Sequence, residues 1–381
     1  MRIDAHVHFT PPELRAKLDA FADHEPYWGL LLNPPEGKSI QGWASAERMI
    51  DDMDVAGIDK VVLVGEYFYH HDNCVVRNNQ ALDLIRRFPD RVIALATIQP
   101  LAGEKGLDEL QRCLDGGMVG VGELNPYAQG HRMDDPHFLR LVEACITAGV
   151  PLNLHVSEEI GGYYLGKSTT PLRHYYELAC KFPELKLILA HWGGGLFFYE
   201  IMPRVRKQLA NVWYDTAASP LLYPTKRIFK QALEAVDWRK ILYGSDYPLL
   251  IYPRKMTEPD MRPLPRAIDK LGLAEDVYAG IMGGNAEELF KGERRKEKGK
   301  RGAQGLLEIG NRKLKIDLGM SVAMVAQVWP ETREVFGRYG IPWRDETVPS
   351  WEPIRQAAVA KGLGVAAQEG LLEDLLREIE G

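Results

Sequence analysis

A chain of 381 residues, 45% hydrophobic and 26% charged, with a formal net charge of −6 at pH 7, has the composition of an ordinary globular protein of about two domains. The mild acidic balance gives no general attraction to nucleic acid or anionic membrane, and no apolar run approaches the ~20 residues of a membrane span. Cys74, Cys113, Cys145 and Cys180 lack any Cys-x-x-Cys pairing and no basic-then-apolar leader opens the chain, so reduced thiols and a cytoplasmic location are expected.

The first eight residues, Met1 to His8, read as a strand in which Ile3, Ala5 and Val7 alternate with Asp4, His6 and His8. Side chains on a strand switch face at each step, so the three polar groups share one face. Two imidazoles so placed are costly to bury alone, and a divalent metal is a natural partner. An isolated His-x-His reads equally well as a solvated pair. A long irregular stretch to about residue 40 follows, rich in Pro, Trp and Tyr, and its Tyr27 and Trp28 suggest a lid.

A helix is expected over 45–56 with Gly57 as its stop, then a continuous apolar strand over 60–65 of the kind buried on both faces. The alternation repeats. Helices near 78–87, 107–114, 138–148, 170–181, 199–210 and 226–235 precede strands at 91–97, 118–124, 151–156, 185–191, 212–215 and 240–246, and a last helix runs near 263–271. Eight strand–helix units predict an α/β fold, a (β/α)8 TIM barrel, over an open doubly wound sheet, since no Gly-rich nucleotide turn follows the first strand.

Barrel sites lie at the C-terminal ends of the strands. There the sequence puts His6 and His8, Glu123, His155, His191 and Asp246, each just after an apolar run. One such residue marks a strand meeting solvent; four histidines and two carboxylates at one mouth predict a metal site. Tyr67, Asn125, Tyr127 and Trp192 are candidate substrate-binding residues at that mouth, with His70, His71 and Asp215 beside them; His70-His71 also fits a solvated loop.

Residues 1–290 resemble the amidohydrolase superfamily, and within it the amidohydrolase-related branch that includes aminocarboxymuconate-semialdehyde decarboxylase. The pieces that carry the resemblance are Ile3 to His8, Asn153-Leu154-His155, Ala190-His191-Trp192-Gly193-Gly194, Leu242 to Pro248 and Gly284 to Phe290. It implies His6, His8 and His155 as metal ligands, Asp246 as ligand and proton carrier, and His191 as a second-metal ligand or oxyanion donor. Glu123 departs from the one-metal decarboxylases of the branch and resembles the bridging glutamate of two-metal members; the alternative is that it orients a ligand or water.

The implied cofactor is a divalent metal, Zn2+ first, with Mn2+ or Fe2+ accepted by the same donors, as one ion or two. A bound zinc lowers the pKa of its water from ~15.7 toward ~7, and Asp246 can take and return the proton. The first expectation is therefore a metal-dependent hydrolase attacking a C–O or C–N bond of a small molecule. The alternative is non-oxidative decarboxylation of an unsaturated or aromatic acid. Nuclease activity is disfavoured because no basic groove is evident.

Residues 291–312 read as a basic, glycine-bearing linker, and 313–381 as a small, mostly helical domain. Ser321 is a candidate helix cap, Pro330 suits a first turn, Gly340 a helix end, and helices are expected over 350–361 and 368–379. The segment resembles a small bacterial domain of unknown function, without the cysteines many relatives carry after the glycine. At ~70 residues it barely buries a core, so docking on the barrel or on a second subunit, as a homo-oligomer, is expected, with helical packing alone as the alternative.

Overall fold

The computed structural model describes residues 1–12, 25–32, 34, 38–162, 164, 167–291, 316, 318, 322, 325–326, 329–343 and 354–380. The chain divides into two compact units, Met1–His131 with Leu141–Gly299, and Arg132–Arg140 with Lys300–Gly381.

The first unit is built on eight parallel strands: β1 (Ile3–Val7), β2 (Lys60–Leu63), β3 (Val92–Ala94), β4 (Val121–Leu124), β5 (Leu152–Leu154), β6 (Leu187–Leu189), β7 (Val212–Asp215) and β8 (Ile241–Leu242). They pair in chain order, β1 to β3 and β4 to β8. Two parallel bridges close the circle, Ala96 with Val121 and Val7 with Tyr247. Backbone bonds support both seams, from Gly122 N to Ala96 O at 2.9 Å and from His8 N to Tyr247 O at 2.7 Å. This is the expected barrel, with every strand but β7 shorter than the expected run. Ile3, Ala5, Val62, Val64, Leu95, Ile188 and Leu242 pack in one buried cluster with Leu289 and Phe290 of the helix Asn285–Phe290.

Local signals account for the connections. Ser45 caps the helix Ala46–Ala56 by accepting from Arg48 N, and Gly57 ends it at φ 69°, a left-handed value that glycine adopts without strain. The helix His71–Arg87 starts earlier than expected, so His70 is its N-cap and His71 its first residue, not a loop pair. Within the presumed lid lies a helix, Pro26–Leu32. Buried Glu25 anchors it, its carboxylate accepting from Tyr69 N at 2.6 Å, His70 N at 3.0 Å and Asn73 Nδ2 at 2.7 Å. After β6 the chain runs as a tight 3-10-type stretch, His191–Ile201, and the expected helix shortens to Pro203–Gln208. Among the described residues no helix is long and apolar enough to cross a membrane.

The second unit carries helices Thr332–Arg338, Ile354–Ala360 and Val365–Glu380. Val335, Phe336, Ile341, Ala358, Leu371 and Leu375 are buried, and Tyr339 donates to Asp374 Oδ2 at 3.0 Å. Pro330 precedes the first helix instead of lying in its first turn, while Gly340 sits past its end at φ 67°. Of the expected linker at 291–312 only Lys291 is described, and the cap Ser321 lies outside the described residues.

Candidate active site

The strand ends bring His6, His8, Glu123, His155, His191 and Asp246 to one place. His8 Nε2 lies 3.3 Å from Asp246 Oδ1 and 3.7 Å from Glu123 Oε2; His6 Nε2 lies 3.7 Å from that same Glu123 oxygen and 3.8 Å from Asp246 Oδ1. The other Glu123 oxygen, Oε1, faces His155 Nδ1 at 2.9 Å and His191 Nε2 at 3.3 Å. His6 and Glu123 are fully enclosed, whereas His8, His155 and His191 each keep 11% of the side chain exposed.

The sequence puts these groups there through strained backbone. His191 and Asp246 hold φ of 56° and 68°, left-handed values rare for residues with a Cβ and frequent at functional sites. Behind His191 the turn continues left-handed through Trp192, Gly193, Gly194 and Gly195; a Cβ on Gly194 would stand 2.4 Å from Ser157 O, so glycine alone fits there.

Carboxylate and carbonyl partners outside the cluster decide which nitrogens face inward. Asp215 Oδ2 accepts from His6 Nδ1 at 2.9 Å, and Ala217 O accepts from His191 Nδ1 at 3.0 Å. Both Nδ1 atoms therefore carry hydrogen, and both Nε2 atoms turn inward, His6 Nε2 to 3.3 Å from His8 Nε2 and His191 Nε2 to 3.1 Å from His155 Nδ1. Nitrogen lone pairs facing one another and two carboxylates repel unless a proton or a cation lies between them. Within the cluster His6, Glu123 and His191, and likewise His6, His8 and Asp246, offer donor atoms all within 4.8 Å of one another. The donor set of imidazole and carboxylate suits a divalent first-row metal.

Without an ion, protons take that role. Burial opposes charge on His6, but Asp215 and Glu123 outweigh it and raise its pKa to about 10; burial likewise opposes charge on His191, and Glu123 raises it to about 9. Burial would raise the carboxyl of Glu123, yet His155 and His6 hold it well below the usual range, and for Asp246 the imidazoles of His8 and His6 overcome burial to leave it at about 2. Asp4 is not a member of the donor group: its Oδ1 accepts from Ser245 N at 2.9 Å and His6 N at 3.3 Å, tying β1 to the end of β8, and burial lifts its pKa to about 7.

The candidate pocket residues separate. Tyr67 is buried with its ring 5.3 Å from that of His155, and Asn125, two residues past Glu123, is fully buried. Tyr127 is half exposed, its ring 6.0 Å from Tyr27. Trp192 is not brought to the mouth: its indole donates to Ser219 Oγ at 2.9 Å and stands edge-on to Phe229, because the left-handed turn swings it into the core. Asp215 is likewise not a mouth residue but the fully buried partner of His6, accepting also from His191 N at 2.9 Å. Sequence reasoning missed Glu66, a buried carboxylate ion-paired with Arg77, although Gly65-Glu66 repeats the strand-end pattern of Gly122-Glu123. It also missed Ser157, whose hydroxyl lies 3.3 Å from His155 Nε2.

A family model described as amidohydrolase matches residues 3–292. The chain is 22% identical over 276 residues to the 2-amino-3-carboxymuconate-6-semialdehyde decarboxylase of Dictyostelium discoideum, covering 63% of this chain and 73% of that protein. Its barrel superposes on 5-carboxyvanillate decarboxylase from Sphingomonas paucimobilis with a TM-score of 0.61 at 16% identity, covering 76% of this chain and 98% of that one. The Novosphingobium aromaticivorans 5-carboxyvanillate decarboxylase, complexed with manganese and 4-hydroxy-3-methoxy-5-nitrobenzoic acid, matches with a TM-score of 0.58 at 19% identity, covering 76% and 96%.

Proposed function

The chain belongs to the amidohydrolase family of enzymes, and from that premise we propose that it is a metal-dependent, non-oxidative decarboxylase of an aromatic or unsaturated carboxylic acid. The observation that carries the reading is the aromatic wall beside the donor cluster: Tyr67 stands 5.3 Å from His155, and Tyr27 and Trp28 pack on Tyr67 at 5.6 and 5.4 Å. A planar ring lies flat against such a wall while its carboxylate reaches the donors. The named relatives, two 5-carboxyvanillate decarboxylases and one carboxymuconate-semialdehyde decarboxylase, act on molecules of that kind.

His6, His8, His155 and Asp246 would hold the ion, with Asp215 orienting His6. Manganese, bound in one relative, stands beside zinc as the candidate metal. When bound, the ion supplies positive charge that fixes and polarises substrate oxygens. Decarboxylation replaces CO2 by hydrogen, so the carbon that loses the carboxylate must receive a proton. Asp246, 3.3 Å from His8 Nε2, is the group assigned to carry it. His191 Nε2 faces the same space and can steady developing negative charge.

Hydrolysis of a C–O or C–N bond takes second place, favoured by one observation. The two oxygens of Glu123 face different donor groups, His6 and His8 on one side, His155 and His191 on the other. That division would let Glu123 help hold two ions, which when bound would supply positive charge to the oxygens of a hydrolysed bond. The test is to load the purified protein with Mn2+ or Zn2+ and offer aromatic acids, lactones and amides in parallel. CO2 released in step with decarboxylated arene is expected. Turnover of a lactone or amide with no CO2 from any acid would overturn the proposal and promote the second reading.

A further inference from the structure

Three imidazoles of the donor cluster are held from behind, but not by the same kind of group. Asp215 and the carbonyl of Ala217, which can only accept, take the Nδ1 hydrogens of His6 and His191. His155 is turned the other way. Its Nδ1 faces the cluster, 2.9 Å from Glu123 Oε1 and 3.1 Å from His191 Nε2, and its Nε2 lies 3.3 Å from the hydroxyl of Ser157. Ser157, two residues past His155, is itself buried and fixed. Its Oγ accepts from Ser168 N at 2.9 Å, and its backbone oxygen stands so close behind Gly194 that a Cβ there would come within 2.4 Å. Tyr175 donates to His155 O at 2.8 Å and holds the strand end between them. Tyr164 is a further neighbour. Burial pushes its phenol up and a hydrogen bond from Ser157 draws it part of the way back, while its own hydrogen goes to Glu158 Oε2 at 2.9 Å. Lys167 Nζ stands 3.3 Å from the other Glu158 oxygen.

A serine hydroxyl has one hydrogen to give and two positions at which to accept. With Ser168 N at one of these positions and Tyr164 receiving the hydrogen, one accepting position is left, and His155 Nε2 is the group beside it. Nε2 then carries the imidazole hydrogen, and Nδ1 turns its lone pair toward the cluster. We propose that Ser157 is a positioning residue for the metal ion: it selects the form of His155 whose Nδ1 is free to bind. It does with a hydroxyl what Asp215 does for His6 with a carboxylate. Tyr164 and Glu158 extend the chain, so that successive donors run outward from the imidazole and end on a charged acceptor. This rests on His155 as a holder of the ion, and not on which reaction the ion serves.

The experiment is a double-mutant cycle read by Mn2+ affinity, measured on the full-length protein by competition with a chelator and independent of turnover. Ser157→Ala is expected to weaken Mn2+ binding about tenfold, the lower end of what losing a partner behind a metal-binding imidazole costs. In the His155→Ala background the same substitution should change nothing further, because the group it positions is gone. A role confined to the loop would weaken binding equally in both backgrounds, and that result overturns the proposal, as does unchanged affinity in Ser157→Ala. If Ser157→Ala fails to fold, Tyr164→Phe takes its place in the cycle. A loss of severalfold confined to the protein that keeps His155 is then expected, and no loss, or the same loss without His155, overturns the proposal. His155→Ala with wild-type affinity removes the ligand and the proposal together. Absence of CO2 release from a loaded protein that shows the expected cycle sinks the decarboxylase reading alone.

Discussion

His6 gives its Nδ1 hydrogen to Asp215 across 2.9 Å, and both side chains are fully buried. Asp215 uses its other oxygen to accept from the backbone of His191 and Ala217, at 2.9 and 3.1 Å. One carboxylate outside the donor cluster thus sets the tautomer of one histidine and the turn that presents another.

From this, Asp215→Asn is expected to weaken binding of Mn2+ about 10–100-fold, the usual effect of losing a carboxylate behind a metal-binding imidazole. Competition with a chromogenic chelator measures it, and the far-ultraviolet circular dichroism should be unchanged. Unaltered affinity in a folded variant would mean that His6 does not depend on its buried partner.

Metal stoichiometry tests the order of the two functional readings. One ion per chain is expected after loading and dialysis, in the wild type and in Glu123→Gln. Two ions in the wild type that fall to one in Glu123→Gln would identify Glu123 as a bridge. Atomic emission on dialysed protein distinguishes these cases.

The stability of the metal-free protein should depend on pH in the alkaline range. His6 and His191, raised to about 10 and about 9 by buried carboxylates, lie above the ~6.5 of an unfolded histidine. Because the folded values are the higher ones, their contribution is complete below about pH 6.5 and is lost as pH rises through the folded values near 9 and 10. Chelator-treated protein should therefore lose Tm steadily from pH 7 to 10. Manganese-loaded protein should keep it, since its nitrogens hold the ion and release protons on binding. Parallel Tm curves for the two forms would contradict this.

A separate buried pair tests the scaffold. Lys240 donates to Glu200 Oε2 at 2.7 Å and to Leu209 O at 2.8 Å, and Tyr214 donates to Glu200 Oε1 at 2.7 Å, with only 1% of the Glu200 side chain exposed. Lys240→Ala should cost about 3–5 kcal/mol by leaving that carboxylate uncompensated. Urea unfolding reads the loss. A cost under about 1 kcal/mol would mean that the network contributes little.

The repeating strand–helix pattern and the polar residues at the strand ends were legible without coordinates, because a strand buried on both faces must be apolar along its length and can change character only at its end. Ser45, Gly57, the apolar stretch at 60–65 and the histidines at 6, 8, 155 and 191 all belong to that class of local signal. Helix starts were less legible: His71 opens a helix that its composition disfavours, with a histidine for a cap, and Pro26–Leu32 forms inside a proline-rich stretch.

The amino-acid order alone determined the barrel, the family and the set of metal-binding candidates, since each follows from side-chain type and spacing along the chain. Only the tertiary structure decided what those candidates do to one another. It turned Trp192 into the core, moved Asp215 behind His6, packed Tyr27 on Tyr67 and divided the two oxygens of Glu123 between two groups of imidazoles. Those outcomes depend on distances between residues far apart in sequence and on backbone turns at His191 and Asp246, and neither is encoded in any local run of residues.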